Sequence, residues 1–180
     1  MMVNGTAATE DTIIHAGDTL ETGTDSRAIF AVGTDAFIMR GETKLELTGS
    51  DLDVQSIHVV QGALLSVFGK HELRLSTPHV SVGIRGTGVY VESMPDQAYV
   101  CSCYGVTQLS ATGSPNGETE TISATHHTPR FIDAVGDRRI RPAPFKNHTD
   151  LELTLIEALV GREPPFAAFD GSNLGGYQPY

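Results

Sequence analysis

Apolar and polar residues alternate in short bursts over the first 110 residues. Thr43-Lys44-Leu45-Glu46-Leu47-Thr48 sets Leu45 and Leu47 on one side and Lys44 and Glu46 on the other. His71-Glu72-Leu73-Arg74-Leu75 and His79-Val80-Ser81-Val82-Gly83-Ile84 repeat the pattern. A period of two is that of half-buried strands. Ile29-Phe30-Ala31-Val32 and Ala63-Leu64-Leu65-Ser66-Val67-Phe68 are nearly continuous apolar runs, which predict strands in a sheet interior. Glycines spaced from Gly17 to Gly105 cut the region into strand-length pieces.

After about residue 110 the pattern changes. Ala111 to Glu118 is a turn cluster that predicts a hairpin tip. A polar strand, Glu120 to Thr125, runs into His126-His127-Thr128-Pro129, and Phe131 to Lys146 is basic and proline-containing, which predicts an ordered loop or arm. Thr149-Asp150-Leu151-Glu152 has the spacing of a capping box. Leu151, Leu155, Ile156, Leu159 and Val160 then form an apolar stripe predicted to pack on the β core, and Gly161 with Pro164-Pro165 ends the helix. The expected fold is therefore all-β, an antiparallel sandwich, barrel or short solenoid of many short strands, with one C-terminal α-helix over 149–160. The chain divides into a β domain, 1–112, and a C-terminal extension, 113–180, holding the hairpin, the His pair, the helix and a loosely held tail.

Composition narrows the function classes. In 180 residues, 22 acidic against 12 basic side chains give a formal charge of −10, which repels phosphate backbones and anionic lipid and argues against a nucleic-acid or membrane-surface binder. No apolar run reaches the roughly 18 residues needed to span a bilayer. Met1-Met2-Val3-Asn4-Gly5 has neither the basic nor the apolar region of a signal peptide. Neither a P-loop, a dinucleotide fingerprint nor an HExxH helix is present. Both cysteines sit in one tripeptide, Cys101-Ser102-Cys103, which rules out a disulfide framework.

Three stretches together resemble the FecR domain family, over about residues 3–112. They are Val3-Asn4-Gly5 followed by Gly17-Asp18-Thr19-Leu20-Glu21-Thr22-Gly23 and Ser26-Arg27-Ala28; then Val59-Val60-Gln61-Gly62-Ala63-Leu64; then Ser76-Thr77-Pro78 leading to Ile84-Arg85-Gly86-Thr87-Gly88. The resemblance implies an exported, β-rich module, periplasmic or extracellular, with a signal or anchor removed ahead of Met1 and a protein partner in the cell envelope. Homo-oligomerisation is a further expectation. Relatives that relay a ferric siderophore to a sigma factor carry an anti-sigma segment and a membrane helix before this domain. Neither stands in these 180 residues. In the Ile-Arg-Gly-Thr core, Gly86 is expected at positive φ and Arg85 against a buried carboxylate or carbonyls.

Chemistry is expected where the cysteines lie. Along a strand Tyr99, Cys101 and Cys103 share one face while Val100 and Ser102 take the other. Cα atoms two residues apart in a strand are about 6–7 Å apart. That is the outer limit for a disulfide, so such a bond would be strained. Two thiolates with two imidazoles make a tetrahedral set. His126 and His127 complete it with Cys101 and Cys103, for a zinc or copper ion or a [2Fe–2S] cluster with two Cys and two His ligands. Adjacent strand residues point to opposite faces, so both histidines reach one ion only if the strand breaks near Pro129; otherwise one ligates and the other supports, and His148 is the reserve ligand. Two alternatives stand beside this. One is a cofactor-free structural or signalling interaction domain, since a strand cysteine is commonly a small buried hydrophobe. The other is a Cys-His hydrolase, with Cys101 or Cys103 as nucleophile, His126 as base and Asp133 or Asp150 as orienter. No catalytic role is assigned beyond that alternative.

Overall fold

The computed structural model describes residues 1–50 and 53–169. Among the described residues thirteen strands form one sheet: β1 (Met2–Val3), β2 (Thr6–Ala7), β3 (Thr19–Glu21), β4 (Ala28–Val32), β5 (Asp35–Met39), β6 (Lys44–Ser50), β7 (Asp53–Val67), β8 (Glu72–Ser76), β9 (Val80–Ser93), β10 (Gln97–Ala111), β11 (Thr119–Ala124), β12 (Thr128–Asp133) and β13 (Ile140–Pro142). One helix, α1 (Asp150–Leu159), and a 3₁₀ turn, Pro165–Phe169, follow. The fold is mostly β with a C-terminal helix, and its sheet is an open path from β13 to β2, not a barrel. Pairings are antiparallel except β7 with β8. Among the described residues no helix is long and apolar enough to cross a membrane. The tail expected to be loosely held lies, beyond Phe169, outside the described residues.

Three long strands, β7, β9 and β10, carry the architecture because each changes neighbours partway along. The first part of β7 pairs with β6 and β8, the second with β5 and β9. The exchange falls at Gly62, whose φ is +85°. Thr43 patches the ladder there: its Oγ1 accepts from Ala63 N–H at 2.9 Å and donates to the Ala63 carbonyl at 3.2 Å. β9 and β10 lose register at Gly86 and Gly105, both at positive φ, so the glycine of the Ile-Arg-Gly-Thr core does serve a left-handed backbone. Arg85 departs from expectation. It is exposed on the solvent side of β9 and not set against a buried carboxylate.

Two apolar clusters flank the sheet. One runs from Ile14 and Leu20 through Leu45, Leu64, Val91 and Val100 to Ile140, so the sheet wraps round a single inner face. The other holds Ile38, Leu65, Tyr90, Tyr99, Cys101 and Cys103 beneath Leu153 and Ile156 of α1. The alternation along 99–103 is as expected, with Val100 in the first cluster and its odd-numbered neighbours in the second. Ala63–Val67 is buried throughout, but Ile29 is 40% exposed, because β4 is paired with β5 alone and covers one face only. The basic arm after Phe131 is not a plain loop; β12 and β13 extend the sheet through it.

Helix α1 starts as expected, on the Thr149–Glu152 capping box, but its buried face differs. Leu153 and Ile156 point inward and Leu151, Leu155 and Leu159 are exposed, Leu151 to 78%. Polar anchors set this rotation. Arg40 makes a bidentate pair with Glu152, at 2.6 and 2.9 Å. Buried Glu157 accepts from Tyr104 Oη and, at 2.6 Å, from Arg162 Nε. Apolar periodicity carries no record of such anchors.

Two expectations follow. A Cβ at Gly62 would lie 2.5 Å from Thr43 Cα and 2.8 Å from the Glu42 carbonyl oxygen, on a left-handed backbone. Gly62→Ala should therefore cost about 2–4 kcal/mol, read as a lower denaturant midpoint; an unchanged midpoint would show that β7 does not need this kink. Burial raises the Glu152 pKa, but the Arg40 hydrogen bonds outweigh it and leave the carboxyl below its usual value of 4.5. A depressed carboxylate stabilises fully above its unfolded pKa and loses that contribution as pH falls through the folded one. Hydrogen exchange in α1 should thus accelerate as pH drops below about 4.3, after correction for intrinsic exchange, and Arg40→Gln should flatten that dependence.

Candidate metal centre

Cys101 pairs in register with Tyr90 of β9 and Pro129 of β12, which holds its side chain square to the sheet. Cys103 is the extra residue of a bulge: Ser102 faces Val89 and Tyr104 faces Gly88. On the opposite edge, β11 ends its pairing at Ala124–Gly105 and β12 begins at Thr128–Ser102. The intervening corner sits across from the bulge, and His127 N–H donates to the Cys103 carbonyl at 2.9 Å. His127 has φ +37°. That left-handed step separates two adjacent histidines, turning His127 in under the sheet and leaving His126 outside. Asn147, at φ +62°, does the same for His148, which enters from the start of α1.

Four donor atoms converge as a result. The sulfurs of Cys101 and Cys103 and a ring nitrogen each of His127 and His148 all lie within 4.8 Å of one another. Cys101 Sγ is 3.7 Å from His127 Nδ1, and Cys103 Sγ is 3.4 Å from His148 Nε2. The thiols are free and both cysteines are fully buried. Around one ion with metal–sulfur bonds of about 2.3 Å and metal–nitrogen bonds of about 2.0–2.1 Å, tetrahedral edges are about 3.4–3.8 Å. The two observed sulfur–nitrogen separations fall within that span.

The far nitrogens settle the tautomers. A carbonyl can only accept, so the 2.8 Å contact from His148 Nδ1 to the Lys146 oxygen places the proton on Nδ1 and frees the Nε2 lone pair toward Cys103. His127 Nε2 lies 2.8 Å from Asp150 Oδ1, so a neutral ring donates there and presents an Nδ1 lone pair to Cys101. A second ring nitrogen tied to a carboxylate or a carbonyl is the support that metal-bound histidines ordinarily have.

The protein's own field distinguishes the two thiols. A hydrogen bond from Cys103, aided by His127 and His148, holds the Cys101 thiol far below its ordinary value against the opposing effect of burial. Burial pushes Cys103 up. Burial also works against charge on His127, but its bonds to Cys101 and Asp150 win and raise it. Burial and these hydrogen bonds thus move the two thiols in opposite directions.

Several residues that sequence reasoning passed over hold this arrangement. Glu92, nearly buried, accepts from Lys146 Nζ at 2.6 Å, Asn147 Nδ2 at 2.5 Å and Tyr90 Oη at 2.9 Å. Tyr99 Oη donates to the Pro144 carbonyl and accepts from Lys146 N–H. The segment 144–148 is therefore pinned just ahead of His148, and the Tyr90 ring stacks on that imidazole at 4.5 Å and 24°. The signal for Glu92 was weak: one acidic residue in an apolar strand.

Of the four expected ligands, Cys101, Cys103 and His127 come together, with the reserve His148 as the fourth. His126 does not join them. It is 48% exposed, and its Nε2 lies 2.9 Å from Asp150 Oδ1. The expected triad is likewise rearranged, since His127, not His126, stands between a cysteine and Asp150. Asp133 is occupied elsewhere, by Arg141 at 2.8 Å.

No protein-family model matches the chain, and no curated protein does. Similar solved structures include two crystal structures of a candidate anti-sigma factor from Parabacteroides distasonis. They superpose with TM-scores of 0.57 and 0.56 at 6% and 7% identity, over 69% of this chain. The match spans 59% of the length of those chains. At this identity the likeness is one of fold.

Glu92→Ala should cost about 2–3 kcal/mol, because it leaves Lys146 and Asn147 without their acceptor. Hydrogen exchange at the amides of residues 146–149 should speed up more than in β7. A variant with wild-type stability and exchange would mean that Tyr99 alone holds the segment.

Proposed function

We propose that this chain is a non-catalytic binding module of the FecR type, working outside the cytoplasmic membrane, whose Cys101, Cys103, His127 and His148 hold one zinc or copper ion. The observation that carries this is the convergence of four donor atoms within 4.8 Å, two of them imidazole lone pairs aimed by hydrogen bonds on the far ring nitrogen. An S₂N₂ set with sulfur–nitrogen separations of 3.4 and 3.7 Å suits a zinc-like ion best. A [2Fe–2S] cluster fits less well, because two bridged irons would hold the ligand pairs farther apart than a single ion does. The fold likeness to candidate anti-sigma factors supports a signalling role through a protein partner. The ion would join β10 to the extension that ends in α1, so its occupancy would set how firmly that extension is held for the partner.

A second reading has one observation in its favour. Cys101, His127 and Asp150 stand in the order of a thiol triad, at 3.7 and 2.8 Å. Its difficulty is access, since Cys101 has no exposed surface.

Metal analysis of protein purified without chelators separates these ideas. A stoichiometric zinc or copper content is expected, lost in Cys103→Ser and His148→Ala and kept in His126→Ala. The thermal midpoint of the apoprotein should rise with added Zn²⁺ in the manner of a ligand that binds only the folded state. Visible absorption with matching iron and sulfide would redirect the proposal to a cluster. Protein that takes up neither zinc nor copper and gains no stability would sink it, and rapid alkylation of Cys101 would then favour the nucleophile.

A further inference from the structure

Beside the buried centre lies a second group of donors that it does not use. His126 Nε2 lies 2.9 and 3.0 Å from the two Asp150 oxygens, and His127 Nε2 lies 2.8 Å from Oδ1. The three side chains meet in one cluster of ligand atoms. Two imidazoles and a carboxylate on one side, with the other side open, make a three-ligand face for a divalent ion completed by water. His126 is held in place although half exposed. Its ring packs 4.3 Å from that of His127 and 4.9 Å from Phe166.

Exposure decides what this face can do. Within the buried centre Cys101 and Cys103 are 0% exposed and His148 is 3% exposed. His127 has 11% of its side chain in contact with solvent, whereas His126 and Asp150 have 48% and 47%. An ion arriving from water on this side therefore meets His126 and Asp150 first, and His127 is common to both sets.

We propose that His126, His127 and Asp150 form an outer divalent-cation site that captures the ion and feeds the buried Cys101, Cys103, His127 and His148 centre. This rests on the metal-binding reading above. The shared ring makes the two sites successive. Bound to the outer ion, His127 uses the Nε2 lone pair and carries its proton on Nδ1, toward Cys101. Bound to the inner ion, it uses Nδ1 and returns a proton to Nε2, toward Asp150. A neutral imidazole cannot do both at once. The direction follows from the donors: an N₂O set with water holds a borderline or soft ion less firmly than S₂N₂, so transfer inward is downhill. Each thiol that becomes a ligand gives its proton to water, and the His127 proton is exchanged between its two nitrogens through water, so charge and protons balance without an oxidant or reductant.

Stopped-flow loading with Co²⁺ tests this, since thiolate–cobalt charge transfer reports the inner ion alone. His126→Ala should slow the appearance of that band at least tenfold while leaving its final spectrum and the equilibrium affinity unchanged, and His126→Glu should restore much of the rate. An unchanged rate overturns the proposal. So does a loss of affinity with an unchanged rate, which would make His126 a mere support of the inner centre. A wild type that develops no thiolate band refutes the inner centre instead, and the outer site is then judged separately. In the Cys101→Ser/Cys103→Ser protein, Cu²⁺ should give an electron paramagnetic resonance signal with imidazole nitrogen coupling that His126→Ala and Asp150→Asn each abolish. A signal indifferent to both substitutions, or none, overturns the outer site.

Discussion

The extra residue in β10 at Cys103, set opposite the corner of 125–127, is the constraint on which the C-terminal half depends. A regular ladder would turn His126 and His127 to opposite faces of a continuous partner strand. The bulge and the corner yield together. The hydrogen bond from His127 N–H to the Cys103 carbonyl closes the gap between them, at the expense of a left-handed histidine. Strain of that kind costs about 1–3 kcal/mol and persists only where the surroundings over-determine it. Here the surroundings are Asp150 on Nε2, Cys101 on Nδ1 and the Phe145 ring 4.2 Å away.

Burying so many polar groups between a sheet and a helix requires that each be matched. Glu92 is neutralised by Lys146, Glu157 by Arg162 and Glu152 by Arg40. These carboxylates are spaced along the seam between β-sheet and extension, and the pairs Glu92–Lys146 and Glu152–Arg40 cross it. The seam is therefore held by charge-assisted hydrogen bonds as much as by Leu153 and Ile156, and a lost partner leaves a buried charge, which costs more than a lost apolar contact. It also accounts for the rotation of α1, whose exposed leucines would have gained from facing inward had Glu152 and Glu157 not been committed.

Legibility in the sequence divides along the same line. Strand periodicity, the hairpin at 111–118, the capping box and the common face of Tyr99, Cys101 and Cys103 follow from local rules of spacing, and they stand in the fold where those rules put them. The choice of His148 over His126 does not follow from spacing. It depends on Asn147 and His127 adopting positive φ, which non-glycine residues do only when tertiary contacts compel them. Arg85, Ile29 and the leucines of α1 failed for a related reason. Each depends on which face a neighbouring element covers, and that is a property of the assembled sheet.

Sequence distance gives the centre its mechanical sense. Cys103 and His148 are separated by 45 residues, and the chain between them holds β11, β12 and β13. Restraining two points so far apart removes more freedom from the unfolded chain than tying neighbours does, although the gain grows only as the logarithm of the loop. The two cysteines, two residues apart on one strand, would add ligands without closing any such loop. Around a bound ion the histidines would thus supply the long-range restraint and the thiolates the affinity. An ion held between them would couple occupancy to the docking of α1, because the carbonyl of Lys146 that orients His148 and the cap at Thr149 that begins the helix lie three residues apart on the same short segment.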